Sequence, residues 1–166
     1  APDYFGNGID GISNITGIKV ENYTGDSSYA EYKGEKFGFK VRYNEMFTSN
    51  DGEVMAVYEN SDTPAVVKKD CGGFISVYSA LGDMPAALLK DIAREAGVFI
   101  YSDTTDLVYV NSNIISVCSD TDGDVTINMP KDGTLSEMFD GGDVEVKNGK
   151  FTVNMRRGEV KMFKIN

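Results

Sequence analysis

From Tyr29 to the last residue the chain is a succession of short apolar runs of period two. Each is closed within a few residues by a turn signal rich in Gly, Asp, Asn or Ser. In "EKFGFKVRY" Phe37, Phe39, Val41 and Tyr43 alternate with Gly38, Lys40 and Arg42, the signature of a half-buried strand. The runs "EVMAVYEN", "PAVVKK" and "GFISVYSA" follow, short, β-branched or aromatic, and bounded by "NDG", "NSDTP" and "CGG". Antiparallel strands joined by tight turns are the arrangement this spacing predicts.

One helix interrupts the strands, from about Met84 to Ala96. Asp83 is its expected N-cap, Pro85 lies in its first turn and Gly97 is its C-terminal stop. Leu88, Leu89, Ile92, Ala93 and Ala96 share one face and Lys90, Asp91, Arg94 and Glu95 the other, so the helix is expected to lie on a sheet. After it "VFIYS" reads as a buried strand. "LVYVN", "IISVCSD", "DVTINMP", "DVEVKN", "KFTVNM" and "EVKMFKI" then follow at the spacing of a small antiparallel sandwich or barrel. Residues 1–27, rich in Gly, Asn, Asp and Ser, read as irregular structure with one short strand.

The expected fold is α+β and β-rich: a mixed or antiparallel sheet covered by one amphipathic helix, followed by a small antiparallel β-sandwich. The best dividing point is "SDTTD", giving domains of residues 1–102 and 103–166. At 166 residues and 41% apolar content the chain can bury a core. A formal charge of −10, with the basic residues scattered, argues against nucleic acid and against an anionic membrane surface. No apolar stretch reaches the roughly 18–20 residues that span a bilayer. The chain begins at Ala1 with no initiator methionine, which reads as processing or an engineered start and leaves any targeting segment illegible. Secretion or the periplasm is favoured over the cytoplasm. The sequons at Asn14 and Asn22 matter only in a pathway that glycosylates.

Cys71, beside Gly72 and Gly73, is the first place to seek a nucleophile. A thiolate needs a histidine base or local positive charge, and the chain has no histidine. On a strand at most one of Lys68 and Lys69 shares a face with Cys71. A small apolar residue at a turn is the better reading. Two cysteines, Cys71 and Cys118, make no disulfide framework, and their pairing is not legible. The missing histidines also remove the commonest transition-metal ligand, and no cofactor is expected.

Glycoside hydrolysis needs two carboxylates at a set separation; Glu45, Glu53, Glu59 and Glu95 all lie in solvated contexts. Asp120, Asp122 and Asp124 in "SDTDGDVTI" are candidate calcium ligands. Their pattern departs from a calcium loop, because Gly123 precedes the third acid and the twelfth position is Lys131; a hairpin turn explains the same letters. Tyr29 and Tyr32, three apart near a polar turn, are the candidate aromatic platform for a sugar.

The succession from "GEVMAVYENSDTPAVVKKDCGG" through "LGDMPAALLKDIAREAGVFIYS" to "GDVTINMP" resembles the region that follows the catalytic barrel in long bacterial β-galactosidase-like glycoside hydrolases. There the end of a glutamine-amidotransferase-like trimerisation domain carries a "PAVV" strand, a glycine turn and an "aGv" helix. A short β-sandwich with a "G.vti.lP" strand closes the chain. The stretch "GTLSEMFDGGDVEVKNGKFTVNMRRGEVKMFKI" resembles the sandwich's end. The resemblance implies a bacterial, non-catalytic accessory or oligomerisation module, since the catalytic carboxylates of such enzymes sit in the barrel. Its partners would be a barrel domain or a second copy. Carbohydrate binding through exposed tyrosines is the alternative, and residual glycosidase activity a second one.

Overall fold

The computed structural model describes residues 8–39 and 46–166. Val41, Tyr43 and Glu45 lie outside the described residues. Two compact units divide the chain, Ala1–Leu89 and Lys90–Asn166. Every strand pairing described in either unit is antiparallel.

The first unit opens with helix α1, Gly8–Thr16, where irregular structure was expected. It ends at Gly17, whose φ of +71° suits a residue without Cβ. A side chain there would also meet Cys71 Sγ at 2.8 Å. Beyond it β1 (Glu21–Asn22) pairs with β4 (Phe47–Thr48). The main sheet runs β3 (Glu35–Gly38), β2 (Tyr29–Tyr32), β5 (Glu53–Tyr58), β6 (Pro64–Asp70), β7 (Ile75–Ser79). In β6 Pro64, Ala65, Val66 and Val67 are all buried, as a strand covered on both faces requires. Ile18, Val20, Phe47, Val67 and Tyr78 form a core against which Ile9 and Ile12 of α1 pack. In the "GFISVYSA" run Tyr78 is buried in β7, but Phe74 and Ile75 are exposed.

Helix α2 spans Ala86–Glu95. Asp83 is not its cap: it has a φ of +54°, outside the extended region an N-cap adopts. The Leu89 N–H donates to the Pro85 carbonyl, so Pro85 supplies the first helical acceptor. The C-terminus follows expectation, with Gly97 at φ +76°. Gly97 N–H donates to Arg94 O and Val98 N–H to Ala93 O, a Schellman motif. Of the apolar stripe only Leu88 is fully buried. "VFIYS" forms no strand, and Val98 and Phe99 are exposed; Tyr101 O accepts from Asn128 N–H at 2.7 Å without a ladder forming.

The second unit is a sandwich. Its larger sheet runs β12 (Asp143–Val146), β11 (Gly133–Glu137), β14 (Val160–Ile165), β9 (Ile114–Cys118), β8 (Leu107–Val110). The ribbon of β10 (Gly123–Asn128) and β13 (Lys150–Met155) packs over it. Ile115 and Val117 of β9, Leu135 of β11 and Phe163 of β14 meet Val125 and Ile127 of β10 and Phe151 and Met155 of β13. Phe151 and Phe163 stand edge to face, ring centroids 5.3 Å apart. β11 lacks an alternating apolar run and went unread in the sequence; Leu135 is its one buried side chain. Among the described residues no helix is long and apolar enough to cross a membrane.

Candidate functional site

Tyr29 and Tyr32 both lie on β2, and neither is fully exposed. An offset of three on a strand sends their side chains to opposite faces, so they cannot form one platform. Each ring also carries an ammonium. Lys36 Nζ lies 4.3 Å from the Tyr29 centroid and Lys33 Nζ 5.4 Å from that of Tyr32. Lys36 is held there by Glu59, 2.7 Å away. Tyr29 nonetheless lines an open depression of about 580 Å³ together with Asp26, Ser27, Glu59, Asn60 and Ser61. The depression exists because Glu59 N–H donates to Tyr29 O and Ser61 N–H to Tyr58 O, which folds the β5–β6 turn beside the start of β2. Asp26, Asn60 and Ser61 are polar contributors that sequence spacing does not join to Tyr29.

The three aspartates behave as hairpin residues. Asp120 Oδ2 accepts from Thr105 Oγ1 at 2.8 Å, Asp122 Oδ1 from the Arg157 N–H at 2.8 Å, and Asp124 Oδ1 from Asn154 Nδ2 at 2.8 Å. Each carboxylate is turned to a different partner. Among the described residues no group of three or more His, Cys, Asp or Glu side chains is arranged to hold a metal ion.

Asp106, which the sequence did not single out, is better placed. It accepts from the Thr104 and Ser119 hydroxyls and from Asp120 N–H. Burial pushes its carboxyl up, and these bonds outweigh burial and hold it below the usual carboxylate range. Its partners are all turn residues, so its work is to tie the loop before β8 to the loop after β9.

Both cysteines are free. Cys71 sits in the β6–β7 turn, its Sγ 3.9 Å from Thr16 O. Of the two neighbouring lysines Lys69 shares its side of the strand, and its ammonium is spent on Asp51 at 2.7 Å and Gly17 O at 2.8 Å. Glu53 is paired with Lys68 and Glu59 with Lys36.

The most distinctive surface is the outer face of the larger sandwich sheet. Register places Leu107, Cys118 and Val160 in one cross-strand row and Tyr109, Ser116 and Met162 in the next. Met138 joins the second row, since its N–H donates to Met162 O. Leu107 is 57% exposed, Tyr109 70%, Val160 51% and Met138 48%. Strand alternation produces this face: with Val108, Val117, Ile115 and Phe163 turned to the core, their neighbours must point outward. Exposed apolar side chains grouped on one sheet face, here interrupted by Ser116, mark an interaction site more often than isolated ones do.

No family model matches the sequence, and no curated protein matches it. Among solved structures the chain matches a β-galactosidase from Bacillus circulans sp. alkalophilus with a TM-score of 0.56. The identity is 16% over 92% of this chain and 25% of that one. The likeness is one of fold, and the chain spans a quarter of that enzyme's length.

Proposed function

We propose that the chain is a non-catalytic accessory and assembly module of a carbohydrate-active enzyme. It docks through the outer face of the β12–β11–β14–β9–β8 sheet onto a barrel-bearing polypeptide or a second copy of itself. The apolar rows of Leu107, Cys118, Val160 and Tyr109, Met162, Met138 carry this reading. The β-galactosidase likeness supports it, since the match covers nearly all of this chain and only part of the enzyme. The finer assignment, of the first part of the chain to the end of an amidotransferase-like trimerisation domain and of the second to a closing sandwich, belongs to the same proposal.

Charge chemistry points the same way. A glycosidase acid needs a carboxyl whose pKa is raised. Asp51, Asp103, Asp106 and Glu159 each lie below the usual carboxylate range. The Lys69 ammonium lowers Asp51, the Asn128 amide lowers Asp103 and the Arg156 N–H lowers Glu159. Groups so held stay ionised and make poor proton donors.

Sedimentation velocity over a concentration series tests the proposal. Self-association, or a complex with a barrel-bearing β-galactosidase polypeptide, is expected; a monomer indifferent to that partner overturns it. Aryl glycosides should not be turned over. A second reading, sugar binding beside Tyr29, draws on the polar depression there. Calorimetry against a glycan panel with Tyr29→Ala and Tyr32→Ala tests it, and absence of heat ends it.

A further inference from the structure

We infer that the open end of the second unit's sandwich is a binding site for a single neutral sugar ring, a site separate from the docking face and independent of the assembly reading. Where the two sheets part beyond β10, a cavity of about 230 Å³ opens between the β8–β9 hairpin, the 129–132 loop, the start of β11 and the end of β14. Drug-sized ligands occupy roughly 300–1,000 Å³, so this one takes one ring rather than an oligosaccharide.

Its floor is apolar: Met129, Leu135 and Val146 are buried side chains of the sandwich core. Tyr101 and Pro130 add to the lining. Such a wall suits the C–H face of a pyranose, which stacks on aromatic and aliphatic carbon.

The rim is polar, and much of its hydrogen-bonding capacity is unspent. Among the described residues the side chains of Ser112, Lys131 and Thr134 have no hydrogen-bond or ion-pair partner. Asn111 Oδ1 accepts from the N–H groups of Asn113 and Ile114, which fixes the side chain and leaves its amide donors available. Asp132 Oδ1 accepts from Gly149 N–H at 2.6 Å, leaving its second oxygen to a ligand. Donors and acceptors thus ring an apolar floor, the pairing that hydroxyls around a pyranose require.

The site is also preformed. Met129 N–H donates to Gly149 O at 2.8 Å and Ile165 N–H to Asn113 O at 2.8 Å, tying the loops around the cavity to one another. With Lys131 beside Asp132, the rim's net charge favours a neutral ligand over an anion. A purely apolar ligand would leave the rim unused.

The test is a titration of the whole chain, carrying ¹³C-methyl methionine, with methyl β-galactopyranoside and methyl β-glucopyranoside. Millimolar affinity is expected, read from a saturable shift of the Met129 methyl signal. Lys131→Ala and Thr134→Ala, whose side chains hold nothing in the fold, should each weaken binding by about 2–10-fold. Ser112→Trp should block it while leaving the amide spectrum folded. No Met129 shift with either glycoside overturns the inference. So does a shift with phenol and not with sugars, or binding that survives Ser112→Trp unchanged. None of these outcomes depends on oligomeric state, so failure here and failure of the assembly proposal are told apart.

Discussion

Replacing Phe163 by alanine tests the face assignment from which the docking surface follows. Phe163 is fully buried on β14, opposite Ile115 of β9, with its ring edge to face against Phe151. Phe→Ala in a core costs about 3–5 kcal/mol, of which the ring pair accounts for roughly 0.5–1.5 kcal/mol. A unit the size of Lys90–Asn166, at about 0.05–0.15 kcal/mol per residue, holds on the order of 4–12 kcal/mol in all. The substitution therefore removes at least a quarter of that stability. Lys164, the next residue, faces out beside Ile114 and Ser136. Lys164→Ala should stay within about 0.5 kcal/mol of the native chain. Urea unfolding, with hydrogen exchange of the β9, β13 and β14 amides, reads both. Similar costs for the two variants, or less than about 1 kcal/mol for Phe163→Ala, would refute the alternation and the exposed apolar face with it.

Tyr58→Phe removes the bond from the buried Tyr58 hydroxyl to Phe47 O, 2.7 Å long, and should lower stability by about 1–3 kcal/mol in thermal or urea melts. Burial pushes the Tyr78 phenol up to about 12 from 10.0. Because the folded value is the higher, the stability tied to it is complete below pH 10 and drains away between about pH 10 and 12; unfolding melts across that range, with Tyr78→Phe as control, should show the loss shrink in the variant. Gly17→Ala combines a positive φ with a Cβ against Cys71 Sγ, and should destabilise by at least about 1 kcal/mol in the same melts. Calcium should leave the melting temperature unchanged, because Asp120, Asp122 and Asp124 are given to Thr105, Arg157 and Asn154; a rise with calcium would reverse that assignment.

Period-two patterning carried most of the architecture. "PAVVKK" and "EVKMFKI" were legible as strands, and Gly97 marked the end of α2. Elements whose stability comes from distant partners were harder to read. Helix α1 is built from poor helix formers, Gly11, Asn14 and Thr16 among them, and the Ser13 and Thr16 hydroxyls bond back to Ile9 O and Ile12 O. What keeps it helical is the packing of Ile9 and Ile12 on Phe47, Val67 and Tyr78, which no local pattern announces. β11 is held by β12 on one side and β14 on the other rather than by an apolar alternation of its own. "VFIYS" failed the other way, strand-like in composition but without a ladder partner.

The candidate sites divide along the same line. The sequence supplied Tyr29, Tyr32 and the three aspartates as neighbours in the chain, and the fold separates them by face or by partner. The outer apolar face and the sandwich-end cavity join residues far apart in the chain, which only register brings together.

Sedimentation velocity of the native chain beside a Leu107→Glu/Tyr109→Glu variant, alone and with a barrel-bearing β-galactosidase polypeptide, bears most directly on the assembly role. Both changes fall on exposed side chains of one sheet face, so the fold should survive them. The native chain should associate and the variant should not, with unchanged melting. A native chain that sediments as a monomer under every condition, or a variant that associates as tightly as the native chain, would contradict the account.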